Sequence, residues 1–163
     1  MSAPRCVIFS VADRRLALPG GAVRRVVSMP RLKALPTMPP VLEGVMVLGG
    51  AAVPVLRLDV LLGVPRREPG VYTPLLLLHR PAGPLALLVD RVHEMAEVPA
   101  DALAPVGEDA SLNHCVSATW THRGDATLLL DPDALLSAAE EVRLAELRDL
   151  AEERLAAWQD DGP

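Results

Sequence analysis

The chain has 163 residues, half of them apolar, enough for one well-packed core or two small intimate ones. A net charge of −5 and an aromatic content of 2% argue against a general nucleic-acid surface or a base-stacking platform. That balance conceals an asymmetry. Residues 1–91 carry 12 Arg/Lys against 5 Asp/Glu, a net +7, and residues 92–163 carry 4 against 16, a net −12. Such halves attract one another within one fold, or dock between copies or onto partners.

In chain order, Arg5 to Val11, a polar corner at Asp13-Arg14-Arg15 and Leu16 to Pro19 read as a hairpin. Pro19-Gly20-Gly21 interrupts it, and Ala22 to Val27 reads as a strand or short helical turn around the exposed pair Arg24 and Arg25. Pro30, Pro36, Pro39 and Pro40 make Met29 to Pro40 an extended loop. Val41 to Gly50 and Ala51 to Leu58 are β-branched runs meeting at Gly49-Gly50, a dipeptide suited to a hairpin turn. Asp59 to Gly63 closes as a short turn, and Pro65 to Gly70 is a polar loop.

Thr73 to His79 and Leu85 to Val89 flank the turn Pro81-Ala82-Gly83-Pro84, a second strand pair. Val92 to Val98 suits a strand or a helical turn, and Cys115 to Thr121 with Ala126 to Leu130 gives a hairpin about the turn His122-Arg123-Gly124-Asp125. Short strands at this spacing predict barrels or a sandwich. One long helix is legible. Ser137 and Glu140 form a capping box, and Leu144, Leu147, Leu150 or Ala151, Leu155 and Trp158 form an apolar stripe. That stripe packs on the chain's own β-structure or docks a partner.

The sequence offers no chemistry of its own. It lacks a phosphate-binding glycine pattern, and His79, His93, His114 and His122 lack the spacing of metal ligands. His114 and Cys115 are neighbours and point to opposite faces of a strand, which does not suit a nucleophilic dyad. Asp131 with Asp133 and Glu108 with Asp109 sit beside turn residues, where a carboxylate bonds its own backbone. Arg24, Arg25, Arg31 and Lys33 form a solvated or partner-facing patch. No catalytic residue, cofactor or metal is expected.

The two cysteines, Cys6 and Cys115, suggest buried thiols rather than a disulfide scaffold, which fits a reducing cytoplasm. The N-terminus shows no export pattern, and the apolar stretch Gly44 to Leu56, broken by Gly49, Gly50 and Pro54, falls short of the roughly 18 to 20 apolar residues that span a bilayer. Membrane insertion is not expected.

The run Leu42-Glu43-Gly44-Val45-Met46-Val47-Leu48-Gly49-Gly50, continuing through Val53-Pro54-Val55-Leu56-Arg57-Leu58 to Leu62-Gly63-Val64-Pro65, resembles the central signature of CheW-domain proteins. Leu87-Leu88-Val89-Asp90-Arg91-Val92 with Glu94 is similar to that family's Val-Asp-x-Val segment. Leu128 to Asp131 with Leu135-Leu136 resembles its closing strand and short helix. The three blocks stand in the family's order across roughly residues 5 to 136.

The resemblance implies a mainly β fold: two intertwined five-stranded SH3-like β-barrels over residues 1–136 with a hydrophobic groove between them. A C-terminal α-helix over 137–158 and a tail over 159–163 would follow. It also implies a non-catalytic cytoplasmic adaptor in a bacterial chemosensory array. Its partners would be the chemoreceptor tip, the regulatory domain of a CheA-type histidine kinase and other CheW-like proteins, with no nucleic acid. Partner contacts would fall at Val23, Arg25, Val26, Gly44, Val45, Val47, Gly49, Gly50, Val89 and Asp90, although several of these also suit core or turn roles.

Two positions depart from the family pattern. Gly49 stands where the family has an arginine before Gly50, and Arg25 stands where an acidic residue is usual. Both changes remove or invert charge-assisted pairing, which raises the alternative of a paralogue that binds receptors without the kinase. A small enzyme with no recognisable site is the remaining alternative, and a deep polar pocket of mutually perturbed titratable groups would favour it.

Overall fold

The structure is a computed structural model describing residues 5–34, 39–65, 68–105 and 115–160. Glu108, Asp109 and His114 lie outside these residues, as does the side chain of Trp158. Ten strands form two five-stranded sheets. β1 (Arg5–Val11), β2 (Arg14–Pro19), β3 (Val23–Ser28), β4 (Leu42–Leu48) and β5 (Ala51–Arg57) precede the one-turn helix α1 (Leu58–Leu62). β6 (Pro74–Leu78), β7 (Leu85–Leu88), β8 (Arg91–Glu97), β9 (Val116–His122) and β10 (Asp125–Leu130) then precede α2 (Ala138–Asp160). The ambiguous segments at Ala22–Val27 and Val92–Val98 are both strands, because each completes the edge of a sheet and takes its hydrogen bonds from a neighbour.

The central sheet has the order β3-β6-β7-β5-β4 and the terminal sheet β8-β1-β2-β10-β9. These orders are the same once β1 to β5 are exchanged for β6 to β10, and each sheet holds one parallel pair, β5 with β7 and β10 with β2. The sequence carries the matching repeat. Leu16-Ala17-Leu18 corresponds to Leu85-Ala86-Leu87, and Val23, Val26, Met29 and Pro30 correspond to Val92, Met95, Val98 and Pro99 at identical spacing. Gly50, Ala52, Leu56, Asp59, Leu61 and Leu62 likewise correspond to Gly124, Ala126, Leu130, Asp133, Leu135 and Leu136. The chain is therefore a tandem duplication in which each half lends its first hairpin to the other half's sheet.

The hairpins explain why the sheets intertwine. The period-2 alternation of a strand gives each hairpin two apolar faces. Val7, Phe9, Leu16 and Leu18 meet the equivalent Leu76, Leu78, Leu85 and Leu87 in a core shared between the sheets. On the opposite faces, Leu75, Leu77, Ala86 and Leu88 fill the central sheet, and Cys6, Ile8 and Ala17 fill the terminal one. A fully buried leucine or phenylalanine contributes about 1.5–3 kcal/mol, so each hairpin gains stability from both sheets. The sheets are SH3-like and not fully closed. One bridge in each, Lys33 with Val45 and Ala104 with Thr119, draws the segment after one edge strand onto the opposite edge.

The capping box of α2 forms as expected. The Glu140 amide donates to Ser137 Oγ at 3.2 Å and the Ser137 amide donates to Glu140 Oε1 at 2.9 Å. α2 lies on its own fold against β5, burying Leu144 and Leu147 with Ala151 half-buried beside them, while Leu150 is exposed. Buried Arg80 donates to the Glu141 carboxylate at 2.6 and 3.3 Å, and the Ala52 amide donates to Glu152 Oε1 at 3.3 Å. Among the described residues no helix is long and apolar enough to cross a membrane.

Candidate partner-binding surface

β3 and β4 are the two outer strands of the central sheet, and most of the singled-out residues lie on them. On β3, Val23 is half-buried against the shared core, whereas Arg24, Arg25 and Val26 are exposed, Val26 to 47%. On β4, Val45 is buried, whereas Val47, two positions on and so on the same side of the strand, is 42% exposed near the strand's end. Gly44 is buried where a Cβ would stand 3.0 Å from both Leu32 Cβ and the Lys33 carbonyl oxygen. Glycine at this position is what lets the Lys33–Val45 bridge form. Gly49 and Gly50, at φ of 58° and 83°, make the β4–β5 turn, both in the left-handed region.

Val89 and Asp90 lie apart from that surface, in the crossover from β7 to β8. Val89 is buried in the shared core. The Asp90 carboxylate accepts the Ala12 amide at 2.6 Å, and the Asp90 amide donates to the Ser10 carbonyl at 3.0 Å. Ala12 sits at a φ of 54°, so Asp90 holds a left-handed residue in the β1–β2 turn. Burial of Val45 and Val89 gives them a packing role, and the contacts of Asp90 stitch the two sheets together.

The repeat identifies what stands opposite these positions in the terminal sheet. Arg25, Leu48 and Gly49 correspond to Glu94, His122 and Arg123. There, His122 Nε2 lies 2.7 Å from Glu94 Oε1, and Arg123 reaches both carboxylate oxygens at 3.0 and 3.1 Å. The hydrogen bond from His122, reinforced by the Arg123 charge, holds the Glu94 carboxyl below its usual range. The corresponding positions of the central sheet hold Arg25, Leu48 and Gly49, and Arg25 makes no ion pair among the described residues.

Sequence reasoning missed a buried ion cluster beneath this surface. Arg57, 1% exposed, bonds Glu43 Oε2 at 2.5 Å and Asp59 at 2.9 and 3.2 Å. Burial by itself lowers the guanidinium pKa, but bonds to Asp59 and Glu43 outweigh it and raise it. Glu43 occupies a β-bulge between Leu42 and Gly44, which turns its side chain toward Arg57. The available signal was an arginine inside an apolar strand with acids just before the preceding strand's core and just after its own end.

The thiols of Cys6 and Cys115 are buried, and burial pushes both pKa values up, away from thiolate reactivity. Asp131 accepts the Asp133 amide at 3.0 Å, the local turn contact expected of it. Among the described residues no cluster of three His, Cys, Asp or Glu side chains could hold a metal ion. Two concave surfaces among the described residues are an open cleft of about 490 Å³ lined by Val11, Asp59, Tyr72, Leu88 and Asp90, and an apolar groove of about 220 Å³ between α2 and Val41, Leu42 and Leu56.

The sequence matches the family model of the CheW-like domain over residues 5–140. No curated protein matches it. Among solved structures, the fold is similar to the scaffolding protein TtCheW from Thermoanaerobacter tengcongensis, with a TM-score of 0.74 at 21% identity, covering 79% of this chain and 89% of that one. The two swapped five-stranded sheets and the family match over most of the chain lead to one conclusion: this chain belongs to the CheW-like domain family.

Proposed function

We propose that the chain is a non-catalytic adaptor of a bacterial chemosensory array, working in the cytoplasm. It binds the cytoplasmic tip of a chemoreceptor and couples it to the regulatory domain of a CheA-type histidine kinase. Membership in the CheW-like family carries this reading, and TtCheW is itself described as a scaffolding protein. The exposed β3–β4 surface supports it: Arg25, Val26 and Val47 offer a cation beside apolar side chains, suited to an apolar segment bearing a carboxylate.

The test is a calorimetric titration of the full chain with a receptor tip and, separately, with the kinase regulatory domain. Saturable binding of both, weakened about tenfold or more by Val26→Asp or Val47→Asp, is expected. Absence of binding to either, from folded protein, overturns the reading.

Arg25 and Gly49 favour a second reading, a receptor-side adaptor that does not recruit the kinase, because the charged pair kept at Glu94 and Arg123 is missing at their positions. Receptor binding without kinase binding, with kinase affinity gained on Arg25→Glu together with Gly49→Arg, is its signature. No gain after both substitutions rules out the lost pair as the cause.

A further inference from the structure

The groove of about 220 Å³ under α2 runs between Leu144 and Leu147 of the helix and Val41, Leu42, Leu56 and Leu136 below it. Protein interiors pack as densely as organic crystals, and this space exceeds the roughly 150 Å³ of an engineered apolar cavity that takes up benzene. The repeat shows that the fold does not require it. Val41 and Cys115 hold the same place: the Arg57 amide donates to the Val41 carbonyl at 2.6 Å and the Asp131 amide to the Cys115 carbonyl at 2.7 Å. Cys115 is fully buried, whereas Val41 is half-buried and lines the groove.

Two charged side chains, Glu140 and Arg143, stand on this groove, and they differ in what already engages them. Glu140 Oε1 accepts the Ser137 amide at 2.9 Å in the capping box, and neighbouring Glu141 holds Arg80. The Arg143 side chain is 53% exposed, and its contact with Glu146 spans 3.7 Å, beyond hydrogen-bond length. A guanidinium at the mouth of an apolar groove matches a ligand with an apolar body and one carboxylate, the few-polar-groups pattern of small-molecule sites. We propose that this groove binds a medium-chain fatty acid or a similarly slim alkyl carboxylate, its tail between α2 and Leu56 and its carboxylate on Arg143. One turn of a helix is about 10 Å across, wider than a groove of this volume seats, so a single alkyl chain fits better than a polypeptide. Such a ligand touches both α2 and the sheet beneath and so fastens the helix to the fold. The inference does not depend on the proposed adaptor role.

Titration of the full chain with octanoate, followed by calorimetry and by the methyl resonances of its leucines and valines, tests it. Saturable one-to-one binding with a Kd below about 1 mM is expected, with the shifts centred on Leu56, Leu144 and Leu147. Shortening the alkyl chain should weaken binding about fourfold for each methylene removed. Arg143→Glu, at an exposed position and checked for an unchanged fold by circular dichroism, should weaken octanoate at least about threefold and leave octanol unchanged. Val41→Trp, which fills the groove from its rim, should abolish binding of both; if that variant does not fold, Arg143→Glu and the chain-length series decide the matter. Folded wild-type protein that shows no saturable binding overturns the proposal. So do shifts centred away from α2, octylamine binding as tightly as octanoate, or an Arg143→Glu variant that binds octanoate as well as wild type.

Discussion

Arg25 on β3 and Glu94 on β8 occupy one position of the duplicated unit and carry opposite charge. Glu94 is paired with His122 and Arg123, whereas the positions corresponding to these two hold Leu48 and Gly49, which offer Arg25 no charge. The same framework thus keeps one closed corner and one open one.

The open corner should be closable. Arg123 adopts a φ of 50° in its turn, so an arginine at Gly49, where φ is 58°, has a precedent within the same chain. Arg25→Glu combined with Gly49→Arg is expected to show a favourable coupling of about 0.5–1 kcal/mol in a double-mutant cycle followed by urea denaturation. Zero coupling would mean the two corners are not equivalent in geometry.

Acid should find the closed corner. Glu94 is held below its ordinary value of about 4.5. A carboxylate depressed by folding contributes stability above its unfolded pKa and loses it as pH falls through the lower folded value. Glu94→Gln should therefore lose less stability than wild type as pH falls below about 4.5, and be the less stable of the two above it. Parallel stability curves through that interval would remove the pair from the acid response.

Asp59→Ala leaves Arg57 buried with half its counter-charge. A loss of about 3 kcal/mol is expected, shifting the urea midpoint, and adding Arg57→Met should recover much of it because the uncompensated charge is then gone. If Arg57→Met deepens the loss instead, the guanidinium contributes more through its contacts than it costs through burial.

The attachment of α2 should depend on one pair more than on others. Glu141→Ala strands the guanidinium of Arg80, whose side chain is 1% exposed, and should cost about 2 kcal/mol. Glu146→Ala breaks an exposed contact of 3.7 Å with Arg143 and should cost less than about 0.5 kcal/mol. Equal effects in thermal or urea unfolding would contradict the weight given to burial.

The strands and turns were legible because local chemistry set them: Gly49-Gly50 makes its turn, and Ser137 with Glu140 caps α2. The family resemblance supplied the two intertwined sheets. Periodicity alone left Ala22–Val27 and Val92–Val98 undecided, since an edge strand is exposed at neighbouring positions and loses the clean alternation of a half-buried one; β3 is exposed at Arg24, Arg25 and Val26 in succession. The ion cluster at Arg57 was hidden because its partners come from a bulge in one strand and the first turn of a helix. Of the singled-out surface, Val26, Val47 and Arg25 are solvent-facing. Val45 and Val89 are equally apolar in sequence and buried; Val45 and Val47 stand two residues apart on one strand, so neither apolar character nor alternation separates them.

The exchange of hairpins also imposes an order on synthesis. β3 to β7 are contiguous, so the central sheet can assemble once Leu88 has left the ribosome. β1 and β2 emerge first and wait longest, because β8 and β10, the later strands they pair with, end only at Leu130. During that interval Phe9, Leu16 and Leu18 have no terminal sheet to enclose them, which makes the N-terminal hairpin the segment most exposed to chaperones and proteases on the nascent chain. Protease protection of ribosome-stalled chains should accordingly reach β6 and β7 before it reaches β1 and β2, although the latter are made earlier.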